Sequence, residues 1–161
     1  MLHYILLFVI LYLLNAVLPK KYVITIIGSK RIHLGTLPVD EITIFEWKPL
    51  CSIKTFYFNK GDAQEIFHTH SFSAISILLH GNYVESFYDA NTKMVRDENR
   101  NRSRIIHISR DKFHQITKSE GCRTIMITGP WGNTYKEYNP TTNEIIISTH
   151  GRKEVQRYNA H

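Results

Sequence analysis

The sequence predicts an all-β fold, an antiparallel barrel or sandwich preceded by a hydrophobic segment. Many short stretches alternate apolar and polar residues, as residues 41–47 (EITIFEW) and 52–58 (SIKTFYF) do. Turn-forming residues follow these stretches at close spacing, for example Asn59-Lys60-Gly61-Asp62. Helical periodicity is scarce from residue 22 onward. Alternation with a period of two, interrupted by frequent turns, is typical of antiparallel sheets that close on themselves.

The first element is an apolar run at residues 4–18 (YILLFVILYLLNAVL), followed by Pro19 and Lys20-Lys21. The run is shorter than the about 20 residues of an unaided transmembrane helix, and no basic region precedes it, so a cleaved signal peptide fits poorly. Three interpretations stay open: a membrane anchor, a helix buried against the barrel or another subunit, and an atypical signal. We favour the anchor, because a helix that is apolar all round is hard to keep soluble.

The domain that follows is predicted to cover residues 22–150, behind a segment of residues 1–21 and ahead of a loose polar tail at residues 151–161. If the anchor spans a membrane, Lys20-Lys21 places this domain on the cytoplasmic side. The alternative is a soluble cytoplasmic protein. A polar loop is expected at residues 89–103. The predicted strands cover residues 22–27, 41–47, 52–58, 66–70, 74–79, 83–88, 104–108, 113–117, 123–128, 134–138 and 144–148.

The composition is that of one globular domain, with 161 residues, 43% hydrophobic and 21% charged. These values exclude a disordered or collagen-like chain. The net charge of +6 favours an anionic partner. However, the basic run at residues 96–110 also contains Asp97 and Glu98, so nucleic-acid binding is not expected. Cys51 and Cys122 lack CxxC partners, which excludes a zinc knuckle and indicates free thiols, although one disulfide between them stays open.

Three histidines are the candidate metal ligands. His68 and His70 lie two residues apart at the end of a predicted strand, so their side chains point to the same face. His114 lies in another short predicted strand. Three neutral imidazoles that converge inside a barrel form a site for iron, zinc, copper, nickel or manganese. For an HxH pair alone, surface or hydrogen-bonded core histidines would be the commoner explanation.

The spacing of these histidines resembles the motifs of a known superfamily. Gly61, then His68 and His70, then Gly81 resemble the first motif of the cupins. His114 falls where the second cupin motif supplies its histidine. The resemblance implies a cupin-type antiparallel β-barrel, also described as a double-stranded β-helix or jelly roll, with the three histidines as metal ligands.

A family of small bacterial and phage cupins is more closely similar. Residues 67–83 (FHTHSFSAISILLHGNY) resemble its signature of H-x-H, then P-W-D-F, then G-G-Y. Phe113-His114-Gln115 resembles its L-H-R, and residues 124–130 (TIMITGP) resemble its T-L-x-L-T-G-P. The resemblance covers about residues 52–148, which is most of the domain but not the N-terminal segment.

The sequence departs from these patterns in three places. Ala74-Ile75 stand where the general pattern has a glutamate ligand, Ser71-Phe72-Ser73 replace P-W-D, and the P-x-G of the second motif is absent. A three-histidine site without a carboxylate resembles the thiol dioxygenases of the superfamily, which leave metal positions open for substrate and oxygen. Iron(II) is therefore the expected metal, with zinc, nickel, manganese and copper as alternatives.

Tyr83, Glu85 and Arg123 are the candidate catalytic residues. Tyr83 would donate a hydrogen bond to oxygen or substrate, and an inward-facing Glu85 would be a fourth ligand or an acid/base. Arg123 would bind a carboxylate or phosphate. The plainer interpretations are a packed tyrosine, an exposed strand glutamate and a solvated arginine. Further residues expected to line or cap the barrel are Ser76, Trp131 and Tyr135.

Three functions follow from these observations. The leading one is an iron(II)-dependent, dioxygenase-type oxidation of a small polar or thiol substrate. The first alternative is a non-enzymatic scaffold that binds a small ligand or carbohydrate, or assembles as a homodimer through its sheets, which the missing glutamate favours. The second alternative is a nucleotide-sugar epimerase or isomerase, in which His68 or His114 would be a base.

Overall fold

The computed structural model describes residues 9, 24–63, 66–101, 105–149 and 153–160. Apart from Val9, the N-terminal segment lies outside the described residues, and with it the predicted hydrophobic helix and membrane anchor. Within the described ranges, the chain contains no helix with the length and apolar character needed to cross a membrane.

The described part of the chain forms one antiparallel sheet of twelve strands, which confirms the predicted all-β fold. The strands are β1 (Thr25–Leu34), β2 (Leu37–Trp47), β3 (Cys51–Asp62), β4 (Phe67–His68), β5 (Ala74–His80), β6 (Tyr83–Asp89), β7 (Met94–Asn99), β8 (Ile105–Ile108), β9 (Phe113–Thr128), β10 (Thr134–Asn139), β11 (Glu144–Thr149) and β12 (Glu154–Asn159). Their order along the main path is β1-β2-β3-β9-β4-β10-β11-β12, with β5 and β6 also paired to β9.

The central strand is β9, which runs without a break where the sequence predicts two shorter strands. Its first half pairs with β6 and its second half with β5, while β3 follows most of its length on the other side. Gly121 joins the halves with a φ of +83°, a conformation that glycine adopts without steric penalty. This strand therefore carries His114 at one end and the inward-facing Met126 near the other.

The turn between β5 and β6 needs glycine at position 81. Gly81 has a φ of +79°, and a Cβ atom there would lie 2.0 Å from the carbonyl oxygen of Gly121. The turn can approach β9 this closely only without a side chain. This approach sets the position from which β6 brings Tyr83 and Glu85 beside β9.

The core fills the space between the inner faces of the strands. One cluster of buried side chains surrounds Phe58 and Tyr83, whose rings stack with centroids 5.9 Å apart. A second cluster surrounds Tyr88 and Tyr138, whose rings stack at 4.2 Å. Cys122 is fully buried in the first cluster, and both it and the half-buried Cys51 are free thiols. The disulfide left open by the sequence is therefore not formed.

Two expectations about loops are wrong. The predicted polar loop at residues 89–103 contains β7, which forms a hairpin with β6, and the tail expected to be loose contains β12, which pairs with β11. Nearly every side chain of these two edge strands is exposed, so no apolar alternation marks them. They are held by backbone pairing and by ion pairs, such as those of Arg157 with Glu144 and Glu154.

Candidate metal centre

Three histidines converge inside the barrel. His68 lies on β4 directly opposite His114 on β9, so the two rings point to the same side of the sheet. β4 ends at His68, and His70 follows just beyond it instead of inside a strand. Each histidine offers one ring nitrogen to a group whose members all lie within 4.8 Å of one another. The structure thus brings together the three residues that the sequence singles out as ligands.

Glu85 fixes the orientation of His114. Its Oε1 accepts a hydrogen bond from His114 Nδ1 at 2.5 Å, which leaves Nε2 of that ring as the nitrogen without a proton. His70 Nε2 lies 2.7 Å from His114 Nε2 and donates to it in this arrangement. A carboxylate behind a histidine is the usual outer partner of a metal-ligating imidazole.

Two of the rings, those of His68 and His70, are held in the neutral form that binds metal. Burial, together with the neighbouring His114, lowers the pKa of His68 to about 3. Burial also lowers the pKa of His70 well below its usual value. His68 Nδ1 lies 3.4 Å from the carbonyl oxygen of Ile66, which orients its Nε2 away from that carbonyl. Neutral imidazole is the protonation state required for coordination.

The donor set fits a divalent transition metal. With metal–nitrogen bonds of about 2.0–2.1 Å, two imidazole nitrogens on one ion stand about 3 Å apart. The facing nitrogens of His70 and His114 are already 2.7 Å apart, so only a small opening is needed. His68, His70 and His114 would hold the ion. The neutral nitrogen set suits zinc, copper, nickel or iron better than magnesium or calcium.

Strand alternation places Glu85 in the interior, on the same face of β6 as the buried Tyr83 and Phe87. The register shift between Val84 and Glu85 comes from an extra residue of β9, Thr117. Glu85 is 3% exposed, so the plainer interpretation of an exposed glutamate is wrong. Burial alone would raise the pKa of Glu85, but the hydrogen bond and charge of His114 and the ion pair with Arg100 lower it below its usual value. Glu85 is thus placed behind His114 instead of beside His68 and His70 as a fourth ligand.

Arg100 is a residue of this centre that sequence reasoning missed. Its Nε donates to Glu85 at 2.7 Å, and its Nη1 lies 2.7 Å from Glu98. Glu85 and Glu98 stand directly opposite each other on β6 and β7. Two like charges in that position repel unless a cation joins them. A predicted β6–β7 hairpin would have shown that Glu85 and Glu98 need a cation between them, but the sequence predicts a loop in place of β7.

The segment after His70 is held by aromatic stacking and backbone bonds. Phe72 stacks on the His70 ring with centroids 5.0 Å apart, and Trp131 packs on Phe72 at 4.7 Å. The backbone nitrogen of Gly132 donates to the carbonyl of Ser71 at 2.6 Å. The segment that follows His70 and the segment of Trp131 and Gly132 therefore hold the His70 ring in place together. The prediction that Trp131 covers the end of the barrel stays a prediction.

A cavity of about 140 Å³ adjoins the histidines. Ser76 and Tyr83 line it, together with apolar side chains such as Phe56 and Met126. Tyr83 is buried, and burial raises the pKa of its hydroxyl far above the usual value, so it stays protonated. Glu85 also reaches the cavity wall.

Two other candidates lie elsewhere. Arg123 is exposed between the inward-facing Cys122 and Thr124 of β9, so strand alternation turns it away from the cavity. On the outer face, its guanidinium group lies over the Tyr57 ring. Tyr135 is half-buried on β10 and is not part of the cavity wall. The cupin pattern has a glutamate ligand at Ala74 or Ile75. Ala74 is buried and has no carboxylate, so β5 contributes no such ligand to the interior.

No protein-family model and no curated protein sequence matches the chain. Among solved structures, it is similar to a cupin 2 conserved barrel domain protein from Rhodopseudomonas palustris, with 8% identity over 71% of this chain and 79% of the other and a TM-score of 0.51. Weaker likenesses are the EutQ protein of Clostridium difficile (16% identity, 62% and 75% covered, TM-score 0.48) and oxalate decarboxylase OxdC of Bacillus subtilis (11%, 65% and 28%, 0.49).

The likeness above a TM-score of 0.5 concerns the barrel alone, because the identity is low. It agrees with the antiparallel strand order of this chain. The similarity to the small bacterial and phage family stays a prediction. The chain has the fold of a cupin-type barrel.

Proposed function

We propose that this protein is a metal-dependent cupin enzyme that oxidises a small substrate with molecular oxygen, with iron(II) as the first candidate metal. The observation that carries the proposal is the convergence of His68, His70 and His114 beside a half-open cavity with a mostly apolar wall. Surface histidines explain this arrangement poorly, because His114 is buried and is oriented from behind by Glu85.

Each residue of the centre has a defined part in this proposal. Bound iron(II) would supply the redox chemistry and open positions for substrate and oxygen. Glu85 keeps the proton of His114 on Nδ1, and Arg100 keeps Glu85 ionised. Phe72 fixes the ring plane of His70. The mostly apolar cavity wall offers water few hydrogen-bond partners beside the reacting groups.

The test is metal content followed by oxygen consumption. The full chain, loaded anaerobically with iron(II) and desalted, is expected to retain about one ion per chain by mass spectrometry. His68→Ala should lose this ion, whereas His107→Ala, which alters an exposed histidine on β8, should retain it. A folded protein that retains no metal would overturn the proposal. Retained iron without oxygen uptake across a panel of small thiols and alcohols would reject the oxidation and keep the metal site.

A second candidate function is a non-enzymatic barrel that assembles with itself. Ile53, Ile127 and Ile75 stand directly opposite one another on the outer faces of β3, β9 and β5, and the last two are 45% and 47% exposed. Such contiguous exposed apolar surface is typical of interfaces. Sedimentation of the full chain should then show a dimer that Ile127→Glu dissociates. A monomer at all concentrations would reject this candidate.

The nucleotide-sugar reaction and the membrane anchor receive less support. The cavity of about 140 Å³ is smaller than the about 300–1,000 Å³ of sites for drug-sized ligands, so it does not enclose a nucleotide sugar. The membrane anchor at residues 4–18 lies outside the described residues and stays a prediction.

A further inference from the structure

The cavity beside the three histidines has the size and lining of a site for an apolar ligand. Its volume is about 140 Å³, and β1, β3, β8 and β9 contribute Ile32, Phe56, Ile108 and Met126 to its wall. A cavity of about 150 Å³ lined by leucine, isoleucine and phenylalanine stays dry and binds benzene. The space therefore suits an apolar body of about six to eight non-hydrogen atoms.

One charged side chain lines this cavity among the residues that the structure describes, and its charge is already compensated. The Glu85 carboxylate accepts a hydrogen bond from His114 Nδ1 at 2.5 Å and another from Arg100 Nε at 2.7 Å. Arg100 is in turn shared with Glu98. The carboxylate is therefore not available to a cationic group on a ligand.

Two further cations lie on strands that line the cavity, and neither is available to a ligand inside it. Lys54 precedes the lining residue Phe56 on the same face of β3, but its Nζ lies 2.9 Å from Glu41 and 2.6 Å from Glu46. Arg123 is turned outward by the alternation of β9. A carboxylate or phosphate inside the cavity would thus find no protein counter-charge on the walls that the structure describes.

We infer that the site takes a small molecule with one metal-binding donor, a thiol or hydroxyl, on an uncharged apolar body, and rejects molecules with a second charged group. An unpaired charge buried in such a cavity is strongly unfavourable. The donor part of this inference rests on the proposed metal function, whereas the selection against charge rests on the cavity wall. The substrate class is therefore less polar than the sequence led us to expect.

The first test uses no metal. Saturation-transfer NMR on the metal-free full chain, with benzene as the probe, should show binding that Ser76→Leu reduces, because this substitution fills the cavity from β5. Ile75→Leu changes the outward-facing neighbour on the same strand and should leave the signal unchanged. A benzene signal that Ser76→Leu does not reduce in a folded protein would overturn the inference.

The second test compares isosteric thiols on the cobalt(II)-loaded full chain, followed by the visible absorption of the metal. 1-Propanethiol should bind at least about tenfold tighter than cysteamine, in which an ammonium replaces the methyl group. 3-Methyl-1-butanethiol should exceed 3-mercaptopropionate by a similar factor, since a carboxylate replaces its branched end. Equal or tighter binding of the charged partners would overturn the inference.

A gain-of-function variant completes the design. Met126→Lys introduces an ammonium into the cavity wall and should bring 3-mercaptopropionate to at least the affinity of its uncharged partner. If Met126→Lys does not fold, the thiol pairs on the unmodified chain still decide. Failure of cobalt to bind would overturn the proposed metal function, and the benzene experiment would then decide the selectivity of the cavity by itself.

Discussion

Two polar clusters are buried in this barrel, and they differ in whether their own side chains satisfy one another. The metal cluster consists of His68, His70 and His114 with their outer partners Glu85 and Arg100. Burial keeps His68 and His70 neutral by lowering their pKa values, and Nε2 of His70 faces Nε2 of His114 at 2.7 Å. The ring nitrogens of this cluster converge as the ligands of one metal ion do.

The lysine cluster consists of Lys54, Glu41 and Glu46, and it is complete. Lys54 is 5% exposed, and its ammonium contacts both carboxylates at 2.9 and 2.6 Å. The hydroxyl of Thr43 donates to Glu41, and Lys30 lies 3.4 Å from the same carboxylate. Every buried charge in this cluster thus has an opposite charge or a donor within reach.

The comparison separates a cluster that stabilises the fold from a cluster that is suited to bind a metal ion. Buried charges that satisfy each other stabilise the barrel but bind nothing further. Buried imidazole nitrogens that converge on one point are arranged to bind a metal ion. Substitutions should therefore affect the two clusters differently, with metal binding sensitive in one and folding stability in the other.

The largest expected effect is on metal binding. His114→Ala removes a ligand and should weaken iron(II) or zinc binding by more than the about 10–100-fold that loss of an outer partner causes. Lys54→Met should leave the metal affinity unchanged. Competition with a chromophoric chelator measures both affinities. Equal losses in the two variants would contradict the distinction between the clusters.

The next effect is on stability. Lys54→Met leaves Glu41 and Glu46 buried without their cation and should reduce the free energy of unfolding by about 3–5 kcal/mol. Lys60→Met, which removes an exposed lysine paired with Glu120, should reduce it by less than about 1 kcal/mol. Urea unfolding followed by circular dichroism gives both values. A loss in Lys54→Met no greater than in the control would show that the lysine cluster is not structural.

A smaller effect on metal binding is expected from Glu85. Glu85→Gln keeps the shape of the side chain but weakens its hydrogen bond with His114 Nδ1 and leaves Arg100 paired with Glu98 without Glu85. Metal affinity should fall about 10–100-fold, while stoichiometric loading at high metal concentration is retained. Isothermal titration measures the change. Complete loss of binding with an intact fold would instead make Glu85 a direct ligand.

The smallest effect appears at alkaline pH. Burial alone would lower the pKa of Lys54, but its hydrogen bonds to Glu46 and Glu41 raise it above 10.5. The stability that this lysine contributes is therefore present below pH 10.5 and is lost as the pH rises through the raised value. Between pH 10 and about 11.5, the free energy of unfolding should fall more steeply in the unmodified chain than in Lys54→Met. Parallel slopes in denaturant titrations would contradict this assignment.

The sequence predicted the parts of the molecule that leave a local pattern. Alternation in β3 and β5 and the spacing of His68, His70 and His114 suffice to predict a barrel with an inner histidine group. The edge strands β7 and β12 carry no such pattern, because backbone pairing and surface ion pairs hold them.

The partners of the histidines depend on which face of each strand is buried and on strand pairing, which the sequence does not display. Glu85 points inward because it shares the face of β6 that carries Tyr83, and Arg100 approaches it because β6 and β7 form a hairpin. The direction of the Arg123 side chain is set by strand alternation in β9. Cys122 and Met126 point inward, so Arg123 points outward. Fixing this alternation from the apolar residues would have removed Arg123 from the candidates.

The most direct test of the three-histidine metal centre is X-ray absorption at the metal edge of the full chain loaded with one equivalent of iron(II) or zinc. We expect three imidazole nitrogens at about 2.0–2.2 Å in the unmodified chain and two in His70→Ala. A first shell of oxygen atoms alone, unchanged by His70→Ala, would contradict this centre.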